Sequence, residues 1–543
     1  MKRNFQVFRA ATTVFCLVTV FAFTVVPLPV KSPASEQAPA KVELPIELQY
    51  VPVDAAAFLS IDVAQVWENQ ILKVIRKADA KMFDGFANAA KMSFGFTPDD
   101  VKSVIVFVPK FHLGEDQDGL GVIVTFRKAY DKEKIAKGVE KLLPKGVKFN
   151  VLAASDRTAV VVVNLGEEFA KPQPADKTGP LTSALQAAAT GKHAIVAGMT
   201  PASYPDILRG DDIPPQIRPF QPLFKAVSVT AIVDLGKSFD LDLQVKTGTA
   251  GQAVECEKAL GTLLGLFDEE LSEELKVVEI DAAKRPSFKD LSTVMKATSS
   301  AIKGAKFSTL GNETQLTASL STDLPFASAY FATKERIEAA MAVITSSNNL
   351  KQIALATINY ADSMNGNLPP AAVCDKTGKP LLSWRVLILP YLDEVKLFKE
   401  FKLDEPWDSD HNKKLLAKMP KVYAIPGKTK PDETDTYYRV FVGNGAGYDW
   451  IQGARFPASF PDGLSNTVMC VTAAEAVPWT KPDELAFEPD KDMRKLLGAI
   501  VNGKLQVAMF DGSCHTLKKI PSKETVNALI TRAGGEIIGA DFP

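Results

Sequence analysis

The sequence has little net charge, few histidines, few cysteines and, beyond its first 26 residues, no apolar run long enough to cross a bilayer. Its 63 basic residues stand against 64 acidic ones, a formal net charge of -1, so no bulk cationic field draws nucleic acid or an anionic membrane surface. Nucleic-acid partners are therefore not expected. Four histidines, His112, His193, His411 and His515, are the available imidazole bases, and no G-x-S-x-G elbow or H-E-x-x-H pair accompanies them. After Cys16 only Cys256, Cys374, Cys470 and Cys514 remain, with no C-x-x-C pair, which excludes a zinc ribbon or redox motif built from local spacing. A bridge among Cys374, Cys470 and Cys514 is not decided by spacing. What is present is the composition of an ordinary folded protein, 46% apolar and 23% charged with 33 Gly and 35 Pro in 543 residues. That composition excludes disordered, collagen and coiled-coil classes, and the length suits about three domains.

The N-terminus has a targeting pattern. Lys2, Arg3 and Arg9 precede an uncharged run from Ala10 to Val26, then Pro27, Pro29 and a polar stretch. Basic start, apolar middle and small-residue exit make residues 1–34 a secretory signal, with an uncleaved anchor as the alternative. Val14 and Phe15 stand where small residues should precede a lipidated cysteine, so Cys16 makes a poor lipoprotein site. The expected mature chain begins between Ser32 and Ala40 in an extracytoplasmic space, periplasmic, cell-surface or secreted, and touches membrane only if the segment stays uncleaved.

Two consecutive segments, 45–170 and 181–322, repeat one order of elements, and each reads as a domain of its own. In the first, a strand (Phe58–Val63) leads into helical pattern (Gln65–Phe94), strands Val101–Val108 and Leu120–Phe126, a helix (Asp131–Leu143), and strands Val147–Ala153 and Thr158–Asn164. In the second, strand Ala194–Met199 precedes short helices, strands Ser228–Asp234 and Phe239–Lys246, helices Ala250–Leu266 and Leu291–Ile302, and strands Lys306–Leu310 and Gln315–Leu320. Phe239, Leu241, Leu243 and Val245 alternate with Asp240, Asp242, Gln244 and Lys246, a period of two that gives a strand one dry and one wet face. Such strands favour antiparallel sheets with helices on one face, an α+β class. Lys171–Pro180 is the linker.

The third segment, 323–543, opens with a helix running to about Ser363. Asp323 is the expected N-cap, Pro325 lies in the first turn, and Ile337, Met341 and Ile344, then Leu350, Ile353 and Ala354, recur at helical spacing. Asn365-Gly366 ends it. A series of motifs follows in order: Asn348-Asn349-Leu350-Lys351-Gln352, Ser383-Trp384-Arg385 through Pro390-Tyr391-Leu392, Asp404-Glu405-Pro406-Trp407-Asp408 with Asn412, Asp462-Gly463-Leu464-Ser465-Asn466, Pro478-Trp479-Thr480-Lys481-Pro482, Asp511-Gly512-Ser513 and Gly534-Gly535-Glu536.

Together these motifs resemble a secreted domain of unknown function abundant in planctomycete bacteria, also known as family ten of bacterial solute-binding proteins. The resemblance covers about residues 325–540. It implies a pilin-like or pseudopilin-like domain, a long helix packed on a small antiparallel sheet, with a surface, envelope or secretion-associated role and no established reaction. Departures from the family pattern are Val501 in place of a common His, Thr472 in place of a Glu, and Ser347 and Ile425 in place of cysteines.

Two chemistries are written into the same segment. Asp404, Glu405, Asp408 and Asp410 form a dense group of hard oxygen donors suited to Ca²⁺, although Pro406-Trp407 interrupts the ligand alternation and a solvated capping loop is the competing reading. Otherwise no cofactor is expected. Trp407 and Trp479, with Asn466 and Asp511, are the candidate ligand-binding residues, against the alternative that the indoles pack in the core and the Asp-Gly pairs make tight turns. No catalytic residue is assigned. The expected function is non-enzymatic: protein association or surface structure in the envelope, with other envelope or secreted proteins as partners. The alternatives are an extracellular binding module for glycan, peptide or solute, and a hydrolase whose carboxylate pair only the fold could assemble.

Overall fold

The computed structural model describes residues 43–109, 119–174, 178–204, 208, 210, 213–283, 285–430 and 433–543. The signal or anchor segment 1–34, with Cys16, and His112 lie outside the described residues. The chain divides into two compact units, one reaching Thr333 and one from Lys334 to Pro543.

Unit 1 is organised by a ten-stranded antiparallel sheet. Its strands are β1 (Ala57–Asp62), β2 (Val101–Val108), β3 (Leu120–Phe126), β4 (Phe149–Ala153), β5 (Thr158–Val163), β6 (Ile195–Met199), β7 (Ser228–Leu235), β8 (Ser238–Lys246), β9 (Lys306–Leu310) and β10 (Glu313–Ser321). They lie in the order β4-β5-β3-β2-β1-β6-β7-β8-β10-β9. Outward from the middle, the first repeat runs 1-2-3-5-4 and the second 6-7-8-10-9, which is the same path walked twice. β1 and β6 pair antiparallel with Leu59 opposite Ala197, so a two-fold axis through the middle of the sheet relates the repeats. The segments read as two domains thus share one hydrogen-bonded sheet.

The helical pattern Gln65–Phe94 resolves into α1 (Val63–Glu68), α2 (Gln70–Ala78) and α3 (Ala80–Phe94). Asn69 makes the first break, because its side chain accepts from Ile71 N and caps α2. The longer helices of this unit that follow are α4 (Lys132–Leu142), α5 (Thr182–Ala189), α6 (Ala250–Ala282) and α7 (Pro286–Lys303). α6 runs well past its expected end at Leu266. The stretch from Asp268 to Asp281 is acidic rather than periodic in apolar residues, yet Val278 and Ala282 pack on Phe288 and Leu291 of α7, and Lys303 pairs with Asp268 at 3.2 Å.

The one-sided sheet is a correction in the first repeat. Val160 and Val162 of β5 join a core with Phe58, Phe107 and Leu185 of α5, whereas Ala159 and Val161 join another with Phe126 and Ile135 of α4. Successive strand residues point to opposite faces, so both faces are covered. The unbroken apolar run from Ala159 to Val163 is the sequence trace of that double burial. The second repeat keeps the alternating form. Phe239, Leu241, Leu243 and Val245 pack toward α6 and α7. On the other face Asp242 accepts from Gln244 and Gln315, closing a polar hydrogen-bonded surface.

The long helix, α8, spans Phe326–Ser363, so Pro325 precedes its first turn and Asp323 lies outside it rather than capping it. The chain passes from unit 1 to unit 2 inside this helix. In unit 2 its residues Leu350, Ile353, Ala354 and Ala361 form a core with Tyr438, Cys470, Ala508 and Phe510 of a four-stranded antiparallel sheet and its flanking loop. That sheet comprises β11 (Asp435–Arg439), β12 (Val468–Pro478), β13 (Leu505–Met509) and β14 (Cys514–Leu517), side by side in that order. Its opposite face carries Val468, Val471, Leu505 and Val507 against Val526 and Leu529 of α9 (Lys523–Ile530). The register shift between Val468 and Cys470 lets one strand feed both cores.

Candidate functional site

The most heavily constructed polar centre of unit 2 begins with an arginine inside an apolar run. Ser383 caps the turn Trp384–Leu387, which turns Arg385 inward, and both the Arg385 and Glu484 side chains are fully buried. Arg385 Nη1 donates to Glu484 Oε1 at 2.8 Å and Nη2 to Oε2 at 3.3 Å. Arg385 Nε and Nη2 donate to the Tyr438 carbonyl at 3.0 and 2.7 Å. Glu484 also accepts from Trp384 Nε1 at 3.0 Å and from Val440 N at 3.1 Å. Burial pushes the Glu484 carboxyl up, and the Arg385 guanidinium beside it opposes that shift. Every donor direction of the guanidinium that geometry offers is directed at protein, so the centre ties the Ser383 turn to β11 and to the segment after Trp479. Its chemistry is structural: it has no open side for a substrate.

The expected ligand-binding residues are placed as follows. Trp479 is wholly buried, its Nε1 donating to Leu416 O at 3.0 Å and its ring stacked on Tyr423 and edge-on to Phe401. Trp407 is partly buried against the core of unit 2, and its backbone N donates to Leu381 O. Asn466 Nδ2 donates to the Asp462 carbonyl, and Asp511 Oδ1 accepts from Ser513 N, with Gly463 and Gly512 at positive φ in the two turns. Asn466 and Asp511 thus make the Asp-Gly turns of the competing reading. A small hollow lined by apolar side chains, among them Val468, Val507, Leu529 and Phe542, lies under α9, and none of the four residues lines it.

In the acidic loop, Asp404, Asp408 and Asp410 are exposed and Glu405 takes Lys402 Nζ at 2.7 Å, which holds the Glu405 carboxyl below its ordinary value. Among the described residues no group of three or more His, Cys, Asp or Glu side chains is gathered so as to hold a metal ion. Asn412, fully buried, organises the loop. Its side-chain oxygen accepts from Lys402 N, and its Nδ2 donates to the carbonyls of Lys402, Glu405 and Pro406.

Other motif residues close the chain on itself in the same manner. Asp462 accepts from Gly534 N at 2.7 Å and Gly535 N at 3.1 Å, joining two motifs distant in sequence. Asn349 Nδ2 donates to Ala424 O, and Ser346 Oγ meets Tyr438 OH at 2.7 Å, fastening α8 to β11. Of the four departures from the family pattern, Ile425, Thr472 and Val501 are core residues and Ser347 is half-buried.

The described histidines are scattered. His193 Nδ1 meets Asp234 at 2.8 Å, His411 Nε2 meets Glu400 O at 2.8 Å, and His515 Nε2 lies 3.5 Å from Ser513 Oγ with its ring against Phe542. Cys256, Cys374, Cys470 and Cys514 are free thiols. Cys470 and Cys514 sit on β12 and β14 with Ala508 of β13 between them. Two strand spacings, about 9 to 10 Å, exceed the reach of a disulfide.

Sequence reasoning missed Glu484 altogether. The available signal was Arg385 within Trp384-Arg385-Val386-Leu387, since an arginine buried in an apolar run demands an acidic partner, and Glu484 follows the Trp479 motif closely.

A long helix on one face of a four-stranded antiparallel sheet and a short helix on the other define unit 2 as an α+β module with two cores. Residues 343–446, within this module, match the family model labelled SBP_bac_10 and described as a protein of unknown function (DUF1559). The match contains the Asn348, Ser383 and Asp404 motifs, and the four later motifs follow it. No curated protein and no solved structure matches the chain. Among the described residues no helix is long and apolar enough to cross a membrane.

Proposed function

We propose that this is a non-enzymatic protein of the envelope or the secreted fraction whose C-terminal unit serves protein association or surface structure, in the manner of a pilin-like domain. One observation carries the reading. The polar groups of the motifs, from Asn412 to Asp462 and from Arg385 to Glu484, are engaged in holding the fold, so the unit presents shape rather than a constellation of reactive side chains. The arrangement of a long helix on a small antiparallel sheet supports the pilin-like part of the reading, and the N-terminal basic and apolar segment supports export. Cross-linking in cells tests it: photoreactive residues on the exposed surface of unit 2 are expected to yield adducts with other extracytoplasmic proteins. Cytoplasmic fractionation, or a chain that forms no protein adduct from any face, overturns the proposal.

The label SBP_bac_10 favours one second reading, an extracellular ligand-binding module. Its candidate face is the loop around Asp404 to Asp410 with the partly exposed Trp407. A ligand for that loop raises the unfolding midpoint of the chain by mass action, and replacement of Trp407 abolishes the rise.

A further inference from the structure

The net charge of -1 conceals a separation of charge within unit 1. Helices α1 to α4 of the first repeat carry nine Lys or Arg against four Asp or Glu, whereas α6 and α7 of the second carry five Lys against ten Asp or Glu. The balance is +5 against -5. Both groups lie on one face of the sheet. Val161 and Leu243 are joined by an unbroken row of directly opposed residues that passes through Leu59 and Ala197, so all of them point to the same side. Val161 packs with Ile135 of α4 and Val63 of α1, and Leu243 with Cys256 and Leu260 of α6. α2 reaches this side through Ile71, which packs with Phe239, and the Phe94 ring of α3 fills the space that a Cβ on Gly138 of α4 would need.

The charges are not neutralised where they stand. Lys137 and Lys141 are four apart on α4, and Glu269 and Glu270 have Glu273 and Glu274 four residues on, spacings that repel within a helix. Lys276 offsets Glu273 at 2.6 Å and Lys303 offsets Asp268 at 3.2 Å. Lys137, Lys141, Glu269 and Glu270 are exposed and have no ion-pair partner among the described residues. Each group also leaves large apolar side chains uncovered, Phe86 at 60% and Met92 at 86% on α3, and Leu266 at 50% and Ile280 at 63% on α6. Charge alone makes a solvated surface, but opposite charge on the two halves of one face, each with uncovered apolar groups, makes two surfaces that fit each other.

We propose that this face of unit 1 is a self-association surface, on which the basic helices of one copy lie against the acidic helices of a second. The proposal extends the association reading above to unit 1 and names the partner. Charge sets the arrangement. A half turn about an axis along the direction of β1 and β6 lays a second copy face to face with the two repeats exchanged, so basic meets acidic on both sides of the axis. A half turn about an axis across the strands would set like on like. Contacts among exposed charges are weak singly and screened by salt, so the dimer belongs to the reversible class and depends on ionic strength.

Sedimentation equilibrium of the full chain at low and high salt tests the surface. At about 10 mM salt, where charges act over about 30 Å, a monomer-dimer equilibrium is expected, and it weakens as salt rises. Lys137→Glu with Lys141→Glu weakens the dimer at least about tenfold, and so does Glu269→Lys with Glu270→Lys, with unchanged circular dichroism. Mixed in equal amounts, the two variants pair with each other at about wild-type strength, because one contact keeps its native charges and the other has both sides reversed. A chain that stays monomeric at low salt, whether or not its basic helices then hold anionic lipid vesicles, overturns the proposal. So does a dimer indifferent to either reversal, or a pair of variants that fails to combine on mixing. A monomeric chain that still cross-links to other envelope proteins in cells overturns this surface and leaves the wider association reading standing.

Discussion

Unit 1 and unit 2 reach a fixed structure by different means. The ten strands of unit 1 are bound mainly by their own ladders, with apolar cores on both faces in the first repeat and one dry and one polar face in the second. Unit 2 has a four-stranded sheet, many turns and loops, and a set of side chains that bond backbone groups, several of them distant in sequence. Regular structure satisfies its backbone internally, whereas irregular chain has to be satisfied one group at a time by side chains. The second strategy concentrates stability in few residues, and that difference is open to experiment.

The largest effect is expected at the buried ion pair. Arg385→Ala leaves the Glu484 carboxylate without its cation in the core, a loss of about 3 to 5 kcal/mol. Denaturant unfolding measures it, and hydrogen exchange should place the lost protection in unit 2 and leave β1 to β10 unchanged. Replacing both partners, Arg385→Met with Glu484→Leu, recovers most of the stability. Equal loss of protection in β1 to β10 would break the contrast between the units.

Next comes Asn412→Ala, which removes four hydrogen bonds around the acidic loop and costs about 2 kcal/mol. Hydrogen exchange at residues 402–412 reads the effect directly. In unit 1 a single polar contact should matter less. Thr97 N and Oγ1 both donate to Asp100 Oδ2 at 2.8 Å and hold its carboxyl below the ordinary value of 3.8. Asp100→Asn is expected to cost about 1 kcal/mol at neutral pH. Because the folded value is depressed, the contribution is complete above the ordinary carboxylate value and is lost as pH falls through the folded one. The gap between wild type and variant therefore closes in acid, which unfolding curves across the acid range can check.

The smallest expected effect is that of calcium. With Asp404, Asp408 and Asp410 exposed and Glu405 held by Lys402, calcium against excess chelator should leave the unfolding midpoint within about 1 °C. A reproducible rise, lost in Asp404→Asn with Asp408→Asn, would instead place an ion in the loop and favour the binding-module reading.

Legibility in the sequence followed the same division. In unit 1 the strands Val101–Val108, Leu120–Phe126 and Lys306–Leu310 have the bounds that the sequence pattern predicts, the first two as largely apolar runs covered on both faces and the third as a half-buried alternation. The pairing of β1 with β6 was not legible, since nothing local says which strand edges meet. The far end of α6 was missed because its helix is held by α7 and by side-chain pairs rather than by an apolar stripe. In unit 2 the motifs were visible and their purpose was not. Asp462 finds Gly534 and Gly535, and Asn412 finds Lys402, only once the loops are folded. Of the residues singled out for ligand binding, Trp479 went to the core and Asn466 and Asp511 to turns, outcomes that composition at each position leaves equal.

By itself the sequence determined the α+β class, the duplicated order of elements, the long helix and the resemblance of the C-terminal motifs, because each is a matter of local period, turn chemistry or spacing along the chain. Tertiary structure decided that two repeats share one sheet, that Arg385 is neutralised by Glu484, that Cys470 and Cys514 stand a strand too far apart to join, and that the basic and the acidic helices of unit 1 lie on one face. Those outcomes depend on which surfaces meet at long sequence separation. A period along one segment specifies a face, and only packing specifies what that face meets.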